Sequence, residues 1–258
     1  MLRKIKEIYN YREMIYMLVK RNLRGRYKAS VLGFAWTFIN PLLQLAVYSV
    51  VFSVIMRLGV EKYYLFLFVA LIPWIAMASS ITDGTISITS QSNLVTKIYF
   101  PRQILPITST TTCFVNMLLC EIVVLAVCAV SIGLKITILW YLIPVFLAEY
   151  ILALGLAFIV SCFNVYFRDL EHIASIFVMA WQFLTPIMYS IEQVPERFRD
   201  LFNLNPMTPI VVAYRSILYY KEAPDLSTLI AGFIMSVVFL LIGWVAFDKL
   251  EKHFAEEL

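Results

Sequence analysis

Six long apolar stretches dominate this sequence and decide which folds are open to it. They cover about 31–56, 65–89, 104–132, 138–163, 173–190 and 226–247. A bilayer core about 30 Å thick is crossed by a helix of about 20 apolar residues, so each stretch is long enough for one crossing. Helices satisfy every backbone polar group within their own segment, which lipid requires. We predict an all-α integral membrane protein with six transmembrane helices in one domain over 31–258.

The composition excludes an ordinary soluble domain. The chain has 258 residues, of which 61% are hydrophobic and 15% charged, whereas soluble domains are about 45–50% apolar and about 25% charged. The four cysteines lie within apolar runs without a CxxC pair, and the two histidines have no partner at ligand spacing. We therefore predict buried free thiols and no metal site.

The first 30 residues form a separate, strongly basic segment. Nine of the 21 Lys and Arg residues lie within the first 28 positions, which is typical of a cytoplasmic N-terminus. Ile8, Tyr11 and Ile15 recur at helical spacing, with basic side chains largely on the other side. We predict an amphipathic interface helix within residues 1–30, lying on the cytoplasmic surface of the membrane.

The distribution of positive charge predicts the topology. If both termini are cytoplasmic, the inside segments carry fourteen Lys and Arg residues and the outside segments carry seven. This agrees with the rule that cytoplasmic loops are the more positive ones. We predict a multi-pass protein with both termini in the cytoplasm.

Residues 191–225 do not fit a further crossing. The polar or helix-breaking residues within them include Asn203, Asn205, Pro206, Pro209 and Arg215. A lone Arg at mid-membrane costs roughly 2.5–3.5 kcal/mol on insertion scales. Two short helices that enter the outer leaflet and return avoid much of that cost, because irregular backbone is tolerated where protein buries it. We predict a re-entrant helix pair before the last span.

The sequence lacks the motifs of an enzyme. It has no GxxxxGK[ST] phosphate loop, no HExxH and no GxSxG. We therefore predict that it is not an enzyme and binds no cofactor. Active transport would draw its energy from an ion gradient or from another polypeptide.

Three carboxylates fall inside predicted spans, where ionisable side chains are candidates for function. Asp83 has hydroxyl residues around it in sequence, which favours a hydrogen-bonded structural role. For Glu121 and Glu149, a polar conduit and helix–helix contacts remain equally open. Trp36 lies on the first span, facing lipid, a neighbouring helix or a conduit.

Four segments together resemble one family. They are Lys20-Arg-Asn-Leu-Arg-Gly-Arg-Tyr-Lys28 with Asn40-Pro41, the stretch Asn93–Pro106 containing Tyr99-Phe-Pro-Arg102, Asn164-Val-Tyr-Phe-Arg-Asp169, and Thr185-Pro186 with Asn203-Leu-Asn-Pro206 and Tyr214-Arg215. In this order and spacing they resemble the type-2 ABC permeases that export polysaccharides such as O-antigen, capsule and teichoic acid. The resemblance covers nearly the whole chain.

The resemblance implies a homodimer that pairs with two copies of a separate ATPase subunit, which binds ATP and Mg²⁺. It implies that Asn93–Gln103, here called the coupling segment, docks on that ATPase. The implied docking residues are Asn93, Lys97, Tyr99, Phe100, Pro101 and Arg102, with a second contact at Phe167, Arg168 and Asp169. The implied interface-helix residues are Arg21, Arg24, Arg26 and Tyr27. The candidate channel or re-entrant residues are Trp36, Asp83, Glu121, Glu149, Asn205, Pro206, Pro209, Tyr214 and Arg215.

The function expected from the resemblance is export of a lipid-linked polysaccharide across the bacterial inner membrane. O-antigen is the first expectation for the cargo, with wall teichoic acid and capsule as alternatives. The expected partners include membrane lipids and exclude nucleic acid. A gradient-driven carrier is the competing class, and it would depend on Asp83, Glu121 or Glu149.

Overall fold

The chain is helical throughout the part that the structure describes. The computed structural model describes residues 2–25 and 30–258, and every regular element within them is a helix. Among these described residues, five helical runs are long and apolar enough to cross a membrane. They cover Gly33–Ile55, Tyr63–Thr85, Ile104–Ser131, Ile136–Tyr166 and Leu226–His253. The predicted all-α fold with several spans is confirmed, and the span ends shift by a few residues.

The helices are numbered in chain order. The first half contains α1 (Leu2–Asn10), α2 (Arg12–Gly25), α3 (Trp36–Ser49), α4 (Tyr63–Thr85), α5 (Ser92–Lys97) and α6 (Ile104–Ser131). The second half contains α7 (Leu142–Tyr166), α8 (Leu170–Leu184), α9 (Glu196–Asn203), α10 (Met207–Arg215), α11 (Leu226–Leu250) and α12 (Phe254–Glu257). A π-helical turn, Val50–Ile55, continues α3, and another, Ser216–Tyr220, continues α10.

The helix at the predicted fifth span is shorter than the sequence indicated. We predicted a crossing over 173–190, whereas α8 ends at Leu184 and has 15 residues. At a rise of 1.5 Å per residue it is about 22 Å long, less than the bilayer core. The reason is local: Thr185 precedes Pro186, which disfavours helical backbone at Thr185, and Thr185 has extended dihedral angles.

The N-terminal segment is two helices rather than one. We predicted a continuous helix within residues 1–30, whereas α1 and α2 are separated by a turn at Tyr11. Leu18 and Val19 of α2 are buried, and α2 packs against α6. The end of the predicted segment, at 26–29, lies outside the described residues.

Helix α4 lies at the centre of the bundle. In its most apolar stretch of 18 residues, 78% are buried within the chain. The helix packs against α3, α6, α7, α8 and α10. Every residue from Leu65 to Trp74 is buried, so this half of α4 is apolar and enclosed on all sides. A helix of this kind is a core element rather than a lipid-facing one.

Helices α7 and α11 approach each other more closely than any side chain at the crossing would permit. A Cβ atom added at Gly155 would lie 2.5 Å from the Leu240 backbone nitrogen, and one at Gly243 would lie 2.3 Å from the Gly155 carbonyl oxygen. Small residues at such crossings let helix backbones pack directly in membranes. This contact fixes the last span against the body of the bundle.

The start of α11 is set by a side-chain cap. The Asp225 carboxylate accepts hydrogen bonds from the Thr228 backbone N–H at 2.9 Å and hydroxyl at 2.8 Å, and from the Ser227 hydroxyl. The bonds from Ser227 and Thr228 lower the pKa of Asp225 to about 2. An Asp in this position satisfies free N–H groups of the first turn.

Both chain termini lie at the same end of the bundle, here called the terminal end. Lys4 of α1 pairs with Asp248 near the end of α11, and the Tyr166 hydroxyl at the end of α7 donates to the Leu250 carbonyl at 2.9 Å. The loop before α4 and the end of α6 meet at the opposite end, where Lys62 donates to the Ser131 carbonyl at 2.8 Å. Helix α1 and the end of α11 therefore lie on the same side of the bundle.

We expect Gly155→Ala to destabilise the protein, because its Cβ would push α11 away from α7. Overpacking of this kind costs about 1–3 kcal/mol. The measurement is the temperature at which detergent-solubilised protein loses its monodisperse elution peak. Gly25→Ala is the control, since a Cβ at Gly25 meets no atom within 4 Å. Equal midpoints for the two variants would contradict the close α7–α11 crossing.

Candidate functional site

Two cavities follow one another along α4 and α6. The first, about 400 Å³, lies at the terminal end of these helices beside α2. The second, about 230 Å³, lies one turn further in, where α3 joins them. Asp83 and Thr112 line the first cavity, and Ser79 and Asn116, one helical turn away on the same helices, line the second. We call the two cavities together the polar track.

The second cavity is polar, and none of the described residues that line it is charged. Asn40, Gln44 and Asn116 place amide groups on its wall, and Trp36 borders it. Asn116 is only 8% exposed, and neither atom of its amide has a hydrogen-bond partner among the described residues. A buried amide without a partner is costly. This cavity is therefore suited to a neutral ligand rich in hydroxyl groups.

The first cavity carries charges of both signs. Arg21 of α2 donates a hydrogen bond to the Gln91 side chain at 2.9 Å. Asp83 lies on the same cavity wall, and the Cys113 thiol donates to its carboxylate at 3.5 Å. Charged groups keep this part of the track hydrophilic where it reaches the terminal end.

Glu149 lies at a helix contact. It is fully buried on α7 and accepts a hydrogen bond of 2.8 Å from the Tyr214 hydroxyl of α10. Glu121 of α6 is buried too, and neither oxygen of its carboxylate has a partner within the described ranges. Neither glutamate belongs to the walls of the two cavities. The geometry ties α10 to α7 through Glu149 and leaves Glu121 without an assigned contact.

Arg215 closes the break in the chain after α8. Its buried guanidinium donates to the carbonyl groups of three residues that follow α8 and to one carbonyl of α4. These acceptors are Pro186 at 2.5 Å, Ile187, Tyr189 at 3.1 Å and Phe66 at 3.3 Å. The same guanidinium lies 3.6 Å from the centroid of the Phe66 ring. An Arg that the sequence marked as costly thus has four carbonyl partners within the bundle.

Asn205 completes the closure from the other side. Its amide donates to the Leu184 carbonyl at 3.1 Å and to the Thr185 hydroxyl at 2.9 Å, while its oxygen accepts from the Trp181 indole. The Tyr63 hydroxyl donates to the Met188 carbonyl at 2.7 Å. Side chains therefore satisfy the carbonyls that the end of α8 leaves free. Among the other predicted residues here, Pro206 directly precedes α10 and Pro209 lies buried within it.

The coupling segment lies at the terminal end and contains both exposed and buried residues. Asn93, Lys97 and Tyr99 are exposed, and Tyr99 is 85% exposed. Phe100 and Pro101 are buried. Of the predicted docking residues, the three exposed ones are open to a partner, whereas Phe100 and Pro101 anchor the segment in the bundle.

The predicted second contact lies at the same end. Phe167, Arg168 and Asp169 are all exposed in the turn between α7 and α8. In the interface-helix set, Arg21 and Arg24 are exposed on α2, while Arg26 and Tyr27 lie outside the described residues.

Some residues of these sites escaped the sequence analysis. Asn116 and Gln44 were not selected because single amides within apolar runs carry no spacing signal. Gln103 and Glu251 were missed because they are 148 positions apart in the chain. The available signal for Asn116 and Gln44 was the presence of amide side chains inside the predicted spans.

Comparison with known proteins places the chain in a family. Residues 13–219 match the family described as ABC-2 type transporter. The chain belongs to this family, and the predicted resemblance is confirmed.

Named relatives match over almost the entire chain. An O-antigen export system permease protein RfbA from Myxococcus xanthus is 36% identical over 263 residues, covering all of both chains. Two proteins of the same name from Klebsiella pneumoniae are 32% and 29% identical, each over 95% of both chains.

We expect Arg215→Lys to destabilise the protein by about 3 kcal/mol, since an ammonium cannot reach all four carbonyls and buried acceptors without donors are costly. Thermal unfolding in detergent measures the change. Arg197→Lys on the exposed face of α9 is the matched control. A melting temperature for Arg215→Lys within error of that control would show that the closure does not support the fold.

Proposed function

We propose that this chain is the membrane-spanning subunit of an ATP-driven exporter that moves a lipid-linked O-antigen polysaccharide across the bacterial inner membrane. The observation that carries the proposal is the similarity, over 95–100% of the chain, to permeases named for O-antigen export. A similarity of this extent includes the residues of the polar track, of the coupling segment and of the region after α8.

The energy comes from a separate ATPase, present in two copies, that binds ATP and Mg²⁺. This sequence contains no phosphate-binding loop of its own. At the terminal end, Lys97, Tyr99 and Phe167 are exposed. Exposed aromatic residues beside basic ones are typical anchors of a protein interface. The coupling segment and Phe167–Asp169 form the two contacts with the ATPase.

The terminal end faces the cytoplasm. The basic N-terminal residues lie there, as the positive-inside rule favours. Helix α2 is the interface helix, with exposed Arg24 towards lipid head groups. Helix α8 and the chain after it form the remaining crossing, and α9 and α10 form the re-entrant pair. Arg215 of α10 hydrogen-bonds to carbonyls after α8, and Asn205, in the turn between α9 and α10, hydrogen-bonds to the last carbonyl of α8.

The polysaccharide contacts the polar track. Its sugars present many hydroxyl groups, which match the amides of Asn40, Gln44 and Asn116 in the second cavity. The Trp36 ring provides a flat apolar face of the kind that packs on a sugar ring.

The permease acts as a homodimer. The helical run Gly33–Ile55 has little cover from its own chain, since only 6% of its most apolar stretch is buried. Asn40 and Gln44 are exposed on that run, and exposed amides are unfavourable against lipid. A second copy facing α3 and the exposed side of α8 would cover these amides and enclose a path between the two chains.

ATP drives transport by shifting an equilibrium between two conformations of the complex. ATP shifts the ATPase pair between two arrangements to the extent that it binds them with different affinity. The docked coupling segments move with the ATPase and change the separation of the two permease chains. A long polymer cannot be enclosed in one cavity, so a continuous channel with stepwise movement fits this cargo.

We expect the double change Tyr99→Ala, Phe167→Ala to weaken binding of the ATPase subunit by about 30-fold, the effect of losing a buried aromatic anchor. The measurement is the dissociation constant between detergent-purified permease and the ATPase encoded with it.

The matched control for this docking test is Trp140→Ala, which removes an aromatic ring that is 57% exposed at the opposite end of the bundle. An equal loss of affinity in the control, or none in the double variant, would show that the ATPase docks elsewhere.

We also expect Asn116→Leu to raise the concentration of lipid-linked O-antigen needed for half-maximal stimulation of ATP hydrolysis by about tenfold, the value of one buried hydrogen bond. Leu118→Ala, a change at an exposed position on the same helix, is the control. An unchanged half-maximal concentration would remove Asn116 from the glycan path.

A further inference from the structure

Three parts of the chain that are far apart in sequence meet at the C-terminal end of the coupling segment. They are α1, the last two residues of the coupling segment, and the turn Glu251–His253 that continues α11. Glu251 lies at the centre of this meeting point, and its side chain is 15% exposed.

The Glu251 carboxylate uses its two oxygens for two different segments. One oxygen accepts a hydrogen bond of 2.8 Å from the buried amide of Gln103. The other pairs with the Lys4 ammonium of α1. In addition, the Arg102 guanidinium donates to the Glu251 backbone carbonyl. A single residue at the end of the last span therefore holds both the coupling segment and α1.

Apolar packing holds this residue in position. Phe254 is fully buried and belongs to one hydrophobic cluster with Phe247 and with Phe100 of the coupling segment. The Phe247 and Phe254 rings lie edge to face, with centroids 5.4 Å apart. Because the end of α11 is packed on the bundle, Glu251 is held in a fixed position and is not a mobile surface charge.

Lys4 carries its positive charge in this arrangement at neutral pH. Partial burial lowers the pKa of Lys4, but the hydrogen bonds to Asp248 and Glu251 outweigh it, so the pKa lies above its ordinary value. Lys4 therefore remains a cation. It has two acidic partners, and only Glu251 also contacts the coupling segment in the chain as described.

We infer that Glu251 is a positioning residue for energy coupling: it clasps the base of the coupling segment to the last span and to α1. This inference rests on the proposed docking of the coupling segment on an ATPase. Exposed Tyr99 lies only three residues before Arg102, so a force on Tyr99 reaches the bundle through this clasp. With a loose base, a movement of the segment would pass into α6 but would not carry α11 and α1 with it.

The first test measures polysaccharide exported per ATP hydrolysed in vesicles containing the whole complex. We expect Glu251→Ala to lower this ratio about fivefold, at the low end of typical coupling effects. Gln103→Leu should lower it comparably, and the double variant should be no worse than the single ones, since both remove the same contact.

The matched control is Asp248→Asn. It removes a carboxylate that pairs with the same Lys4 ammonium from the same helix but has no contact with the coupling segment among the described residues. Its ratio should remain that of the wild type. A Glu251→Ala ratio equal to the control, or additive losses in the double variant, would overturn the inference.

A second readout needs no ATPase. A spin label at Tyr99→Cys reports the mobility of the coupling segment in the permease alone, and the four native cysteines are buried. Glu251→Ala should increase that mobility, whereas Asp248→Asn should not. Unchanged mobility overturns the clasp. If the wild-type permease binds no ATPase, the proposed function fails instead, and the mobility result still stands for or against the clasp.

Discussion

The structure depends on how it satisfies the backbone where α8 stops inside the bundle. A carbonyl group buried in the bundle without a hydrogen-bond donor costs about 1–3 kcal/mol. Arg215, Asn205 and Tyr63 supply the missing donors from α10, from the turn before it and from α4. The guanidinium, which alone would cost roughly 2.5–3.5 kcal/mol at mid-membrane, becomes the group that holds α8, α10 and α4 together.

This closure leaves α4 enclosed at the centre, with different partners on its sides. On one side it forms the polar track with α3 and α6. On another it packs against α7, which in turn makes the glycine crossing with α11. The rigid α7–α11 pair carries Glu251 at its terminal end, while α3 remains largely uncovered by its own chain. The bundle thus combines a fixed half with a half whose surface is open to a partner.

The coupling segment and the polar track are mechanically continuous. Helix α6 begins at Ile104, directly after Gln103, and carries Thr112 and Asn116 on the walls of the two cavities. Arg102 and Gln103 at the end of the coupling segment therefore pass a displacement directly into α6, and α6 reaches the track. This continuity relates the proposed ATP-driven movement at one surface to the path proposed for the polysaccharide.

The amino-acid sequence was sufficient for the membrane class, the helical fold, most span positions and the family, because each follows from apolar run length or from local motifs. It also marked Arg215 and Asn205 as unusual without showing what they bind. The early end of α8, the pairing of Glu149 with Tyr214 and the joining of Gln103 to Glu251 emerged only with the tertiary structure. Each of these depends on groups brought together from distant positions, and hydrophobic periodicity carries no information about such pairs.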